Sequence, residues 1–342
     1  MRVLLIKTSS MGDILHMLPA LTDASHAIPG ISFDWVVESS FADIPRWHRS
    51  VSEVIPVQLR RWRKHLFSQE TRAGLRVLRD QLRHTPYDLV LDAQGLVKSA
   101  ILTYFASGVR AGLDWRSARE ALAAVAYQRR YRVNFYQHAI VRMRLLCSQA
   151  LGYALPTTSP DFGLSREQFA VGHQKEKYIV FLHGTTWASK QWPEVYWLQL
   201  ADIVREAGYR IKISGGNDAE VARAYRIAAH HDAVVVLPRL SVSSMAQLLA
   251  EAAGAVAVDT GFGHLAGALG IPLVSVYGAT TPLYTGAHGT RSVCLSADYA
   301  CSPCLARKCK FKTPPSAITP PCFTTLPPEK VWEQLKEAII YF

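Results

Sequence analysis

Residues 1–13 read MRVLLIKTSSMGD, an apolar run at 3–7 that ends in small hydroxyl residues, Gly12 and Asp13, and passes at once into an apolar helix pattern from Ile14. A strand that turns tightly into a helix opens a βαβ unit, and its turn lies at the carboxyl edge of a parallel sheet, where α/β proteins place ligands. The same start resembles a secretion signal in its apolar run. Lys7 and Asp13 interrupt it and no small-residue cleavage site follows, so the reading is a buried first strand of a cytoplasmic protein.

Working outward, further β-rich runs at 33–38, 53–57 and 89–93 alternate with helical patterns at 15–27 and 71–83, the rhythm of a parallel sheet. Pro156, Thr157, Thr158, Ser159, Pro160 and Gly163 then make a turn-rich linker. The rhythm restarts with runs at 178–183, 209–214, 233–237, 255–259 and 273–277. The fold class expected is α/β with two Rossmann-like domains, 1–160 and 161–328, followed by a closing helix at 329–342 that carries apolar Val331, Trp332, Leu335, Ile339 and Ile340.

A chain of 342 residues that is 49% hydrophobic and 19% charged can bury a core of that size, which excludes a disordered protein. No stretch reaches the roughly 18 uninterrupted apolar residues of a membrane span. Four of six cysteines cluster at 301–322, unlike a disulfide framework spread over a small secreted fold. Residues 1–150 hold 21 Lys and Arg against 12 Asp and Glu, so +9 of the net +11 lies in the first half, which should meet something acidic.

Several strand-to-helix turns carry groups suited to chemistry. Asp13, with Ser10 and Gly12, is either a helix-start residue stabilised by the dipole or a general base that takes a proton from an attacking hydroxyl. After the run at 178–183, Thr185, Thr186 and Lys190 suit a diphosphate, Lys190 offsetting charge that grows on a leaving group, with a capped helix start as the alternative. Asp259, Thr260, Gly261, Gly263 and His264 join another strand to an Ala-rich helix; the glycines let amides approach a phosphate, and Asp259 either holds sugar hydroxyls or caps the loop. Glu220, after Ser214, Gly215 and Gly216, is placed to pair with ribose hydroxyls, or is an ordinary first-turn glutamate. No GxGxxG, Walker A, HExxH or DxD pattern occurs, which counts against dinucleotide redox chemistry, P-loop hydrolysis and a carboxylate-held metal.

The densest positive charge is RRWRK at 60–64, where converging arginines can grip phosphates and carboxylates bidentately; a solvated loop is the alternative, and Trp62 among the charges tilts the reading to a ligand surface, whereas Arg129, Arg130 and Arg132 read as a solvated loop. Cys301, Cys304, Cys309 and Cys322 form a thiol set with a CxxC core. Zinc suits such a set, yet the spacing is not the paired CxxC of a ribbon, free thiols are the alternative, and no metal is assigned.

Taken in order, KTSSMGD (7–13), DWVVE (34–38), RRWRK (60–64), DAQGLVKSA (92–100), SARE (117–120), FLHGTT with KQWP (181–193) and DTGFGHLAGAL (259–269) resemble the lipopolysaccharide heptosyltransferases, within them the heptosyltransferase I branch. The resemblance implies a GT-B fold, its two domains facing each other across a cleft, with the closing helix packed back on the first domain. It implies inverting transfer from ADP-L-glycero-D-manno-heptose to the Kdo of Kdo-lipid A with no cofactor required. Asp13 and Lys190 match the family's catalytic positions. Thr185, Thr186, Glu220 and the 259–264 loop match donor contacts, and Ser10, Gly12, Arg60, Arg61, Lys64 and Arg119 match the side facing the acidic acceptor. A monomer that works peripherally on the anionic cytoplasmic face of the inner membrane, without nucleic acid, is the expected state. Heptosyltransferase II or a transferase of another nucleotide sugar is the near alternative, and a zinc-containing nucleic-acid-binding protein the remote one.

Overall fold

The computed structural model describes residues 1–65, 67–172, 176–229, 231–311 and 318–340. They form two α/β units, Met1–Gly163 and Leu164–Phe342. The first sheet comprises β1 (Arg2–Ile6), β2 (Ser32–Glu38), β3 (Val51–Val57), β4 (Pro86–Asp92), β5 (Ser107–Leu113) and β6 (Arg129–Tyr131), in the order β3-β2-β1-β4-β5-β6. The second comprises β7 (Tyr178–Leu182), β8 (Arg210–Ile213), β9 (Val234–Val236), β10 (Gly254–Val258), β11 (Leu273–Tyr277) and β12 (Ser292–Ser296), in the order β12-β11-β10-β7-β8-β9. Every pairing is parallel. Each order is that of a doubly wound Rossmann sheet, with a reversal between β1 and β4 in one unit and β7 and β10 in the other.

Central strands of such sheets are covered on both faces, so they read as continuous apolar runs, and β7, β10 and β11 are buried along their whole length. The strands at the edges differ. Read as a solvated loop, 129–131 is the exposed edge strand β6; charges on an edge strand stop it pairing with another chain, which is why Arg-Arg-Tyr forms one without an apolar signature. The linker region 152–165 contains no strand or helix, and the units divide three residues beyond the expected boundary at 160.

The helix pattern at 15–27 resolves into Met11–Leu15 and Leu18–Ala27, the second beginning with Pro19 in its first turn, where a missing N–H costs nothing. The closing helix, Pro328–Ile340, buries Val331 and Leu335 in the second unit's core beside Trp197, Val256 and Val274. Tyr341 and Phe342, included in that helix from the sequence, lie outside the described residues.

Candidate active site

In the first unit the loops leaving β1 and β4 meet at the strand-order reversal. Ser10 caps the helix Met11–Leu15, and Asp13 turns back so that its Oδ2 accepts from Ser10 N and Ser10 Oγ, both at 2.8 Å. This is the reciprocal half of a capping box, so Asp13 is a helix-start residue by geometry, whatever else it does. Gly12 is buried beside it.

The turn before Asp13 is held from the neighbouring loop, where Gln94 Oε1 accepts from Thr8 N at 3.0 Å and Ser9 N at 3.2 Å. Gln94 is set by buried Asp92, whose Oδ1 accepts from Gln94 N and Gly95 N and whose Oδ2 accepts from Ser99 Oγ and Tyr127 OH. Burial pushes the Asp92 pKa up and these four donors oppose it. Lys7 is buried and donates from Nζ to the Ala93 carbonyl at 2.9 Å; burial lowers its pKa, against the opposing pull of Asp13 and Asp92. Arg142 is also lowered by burial and held up by Asp13. Asp13 therefore lies within the field of two cations, and neither Lys7, Arg142 nor Gln94 announces itself in the sequence.

The RRWRK segment is a short helix, Leu59–Lys64, with no buried residue. Arg60, Arg63 and Lys64 line a cavity of about 360 Å3 together with Ser9, Leu59 and Lys98. Burial, then the neighbouring Arg63 and Arg60, lower the Lys98 pKa, opposed by Glu38. Arg61 instead pairs with Glu70 at 2.8 Å on the exposed surface, and Arg119 is exposed next to the Gly95 turn. The structure thus brings Arg60 and Lys64 together, adds Arg63 and Lys98, and places Arg61 in a different pairing.

In the second unit, Thr185 follows β7 and Asp259 follows β10, the two strands at the reversal. Thr185 Oγ1 donates to the Asp259 carbonyl at 3.0 Å, Lys190 Nζ lies 2.6 Å from Asp259 Oδ2, and Thr280 Oγ1 donates to that same oxygen at 2.6 Å. Lys190 also lies 4.6 Å above the Trp187 ring centroid. Asp259 is therefore a partner that orients Lys190, and Thr280, unread in the sequence, completes the group. Thr186 is exposed beside it. Thr260 is the N-cap of the helix Gly261–Ala268, whose first amides have no partners within the helix. Gly263 has a packing reason: a Cβ there would sit 3.2 Å from Ala257 Cβ, so its absence lets the helix lie on β10, and His264 follows it, buried.

Glu220, in the first turn of Asp218–Ala228, accepts from Gly216 N at 2.8 Å. A Cβ on Gly184 would lie 2.6 Å from Glu220 Oε2, so glycine after β7 is what lets this carboxylate reach across from β8. Between them His183 is wholly buried, donating Nε2–H to the Ser214 carbonyl at 3.2 Å. Burial, then Arg223, lower its pKa to about 4. An unfolded histidine takes its proton near pH 6.5, so the unfolded state binds more protons between about pH 6.5 and 4. Stability should accordingly fall as pH drops through that window, by up to about 3 kcal/mol from this group. Denaturant unfolding at pH 7 and pH 5 with wild type and His183→Asn checks it: the pH dependence should shrink in the variant.

The sequence model for glycosyltransferase family 9 (heptosyltransferase) matches residues 75–314. The chain belongs to glycosyltransferase family 9. Among relatives of this heptosyltransferase, lipopolysaccharide heptosyltransferase 1 of Pseudomonas aeruginosa is 50% identical, over 99% of this chain and 98% of that protein. The solved structure of Escherichia coli heptosyltransferase WaaC with ADP superposes with a TM-score of 0.87 at 42% identity, covering 99% of this chain and 100% of that one. The same enzyme with ADP-2-deoxy-2-fluoro heptose gives 0.84 at 43% identity, covering 98% and 99%. The α/β fold of GT-B type, the glycosyltransferase activity and the heptosyltransferase I likeness expected from the sequence all stand in this family member.

Proposed function

We propose that the protein transfers L-glycero-D-manno-heptose from its ADP-activated donor to the Kdo of Kdo-lipid A, adding the first heptose of the lipopolysaccharide inner core by inverting single displacement. The observation that carries this reading is the placement of Asp13 and Lys190 at the strand-order reversals of their sheets, in a family 9 chain. Asp13 uses one carboxylate oxygen for its cap; the other takes the proton from the attacking Kdo hydroxyl. That oxygen attacks the anomeric carbon and ADP leaves, its growing charge met by Lys190, the Thr186 hydroxyl, the Thr185 hydroxyl once it turns from the Asp259 carbonyl, and the amides of the Gly261 turn. Glu220 takes the ribose hydroxyls, and Asp259 with Thr280 keeps Lys190 aimed. The 2-fluoro donor analogue bound by the E. coli enzyme supports ADP-heptose as donor here. Offering ADP-heptose with either Kdo-lipid A or its monoheptosylated product tests the assignment: the first alone should be extended, and extension of only the second would move the protein to the later step.

The acceptor carries negative charge on Kdo and lipid A, and the basic cavity of Arg60, Arg63, Lys64 and Lys98 is its complement in this reading. Lys98→Ala and Arg63→Ala should each raise the acceptor KM about 10-fold, as expected for loss of a charge-assisted contact of about 1.5 kcal/mol, with the donor KM unchanged. Arg61→Ala, whose charge is already paired with Glu70, should change it less.

No helix among the described residues is long and apolar enough to cross a membrane. Val97, Ile101, Leu122 and Val125 are nevertheless exposed on two elements, Val97–Leu102 and Ala121–Ala126, that pack together through Ala100, Ala123 and Ala124. Lys98 stands on the same helix and lines the basic cavity. Apolar side chains beside cations suit the anionic cytoplasmic face of the inner membrane, which the protein engages peripherally as a monomer. Leu122→Glu with Val125→Glu should lower the partition constant onto phosphatidylglycerol-containing vesicles, read by sedimentation, about 30-fold or more while leaving turnover on detergent-dispersed acceptor intact, because two burials of about 1–2 kcal/mol each are lost.

A further inference from the structure

The described residues that carry Cys301, Cys304, Cys309 and Cys322 are not used by the transfer chemistry, yet residues 302–307 among them are tied to the donor site at four points. Ser302 Oγ donates to the Gly278 carbonyl at 2.6 Å and Leu305 N to the Ala279 carbonyl at 2.8 Å, just before Thr280. On the other side Ser189, next to Lys190, donates its N–H to Arg307 O at 3.3 Å and its hydroxyl to Ala306 O. Residues 302–307 therefore brace both the Lys190 turn and the Thr280 loop, the two groups that meet on Asp259.

All four of these cysteines line one cavity of about 20 Å3, closed by Ser189, Gly278, Ala279 and prolines 320 and 321. A space of that size holds about one atom, so it excludes an organic ligand. Gly278 is kept free of a side chain there: a Cβ would lie 2.9 Å from Cys322 Sγ. All four cysteines are free thiols rather than disulfides. Among the described residues no three His, Cys, Asp or Glu side chains stand ready-made as a metal group, so binding would have to draw in the thiols that line this cavity.

We propose that Cys301, Cys304, Cys309 and Cys322 bind one thiolate-preferring divalent ion, zinc or iron(II), as a closed structural site that braces the Lys190 turn and the Thr280 loop. Binding exchanges four thiol protons for the ion, leaving a four-sulfur tetrahedron with no open position, which suits a structural role. The site is independent of which sugar or acceptor the enzyme uses, because metal content is read without turnover.

The test is elemental analysis of the full chain after anaerobic reconstitution with Zn2+ or with Fe2+, followed by gel filtration, beside Cys304→Ser/Cys309→Ser, which changes the exposed member of the set and one of its two half-buried members. About one ion per chain is expected in wild type and at least a tenfold loss in the variant. Which metal is retained under competition distinguishes zinc from iron. Reconstitution with Co2+ gives a second reading, in which intense thiolate-to-cobalt charge-transfer absorption marks a four-sulfur site. With the variant folded by circular dichroism, its donor KM should rise several-fold with kcat less affected. Wild type that retains none of these ions, with the four thiols freely alkylated in the native protein, would overturn the proposal. Metal retained equally by the double variant would also overturn it.

Discussion

Asp13→Asn should lower kcat by about 10^2- to 10^4-fold, the range a positioned general base contributes, while binding of ADP and the fold are kept. Asparagine retains the oxygen that accepts from Ser10 N and Ser10 Oγ, so the helix start survives and only the proton acceptor is lost. Asp13→Ala should cost a similar factor in rate and, in addition, about 1 kcal/mol of stability from the lost cap. Steady-state rates with saturating donor, together with thermal melts of both variants, separate the two roles. Asn at near wild-type rate would leave Asp13 as a cap alone.

Lys190→Ala should lower kcat by about 10^3-fold, the upper end for removing one preorganised group that meets transition-state charge in a dry site. Two losses combine: the leaving diphosphate loses its cation, and Asp259, only slightly exposed, loses its partner and keeps Thr280. A carboxylate left facing the diphosphate repels it, so the donor KM should rise as well. Lys190→Ala with Asp259→Asn removes the repulsion and should recover donor binding but little of the rate. Isothermal titration with ADP and single-turnover kinetics on the three proteins separate these effects. A double variant no better than the single one at binding ADP would contradict the role given to Asp259.

What the sequence could show of this site follows from how each residue is held. Asp13, Lys190, Asp259 and Glu220 stand in strand-to-helix turns, and turns of that kind are visible as apolar runs that break into Gly, Ser and Thr. Their supporting residues leave no such trace. Gln94, which clamps the Thr8 turn, and Lys7, buried under it, are single polar residues whose partners lie 85 or more positions away. Thr280 reaches Asp259 from the loop after the adjacent strand, a meeting that only the strand order creates. The same limit applies to the fold. β1, β7, β10 and β11 are buried on both faces and legible, whereas β5 begins with exposed Ser107 and Gly108, β6 is charged, and β12 is half-exposed. A strand at or near the edge of the sheet is defined by its neighbour more than by its own side chains.

The charge of the first half is explained in part by one cavity. Arg60, Arg63, Lys64 and Lys98 converge although 63 and 98 come from different elements, while Arg61 between them is spent on Glu70. Helical spacing separates neighbours in sequence onto different faces, so a run such as RRWRK divides its work once it coils.

The most direct measurement of the account is nuclear magnetic resonance of the product that wild-type protein makes from ADP-L-glycero-D-manno-heptose and Kdo-lipid A. A single new heptose linked to Kdo, with anomeric configuration opposite to the donor's, is the predicted result. A product that retains the donor configuration, or a heptose attached elsewhere than Kdo, would contradict a single displacement driven by Asp13.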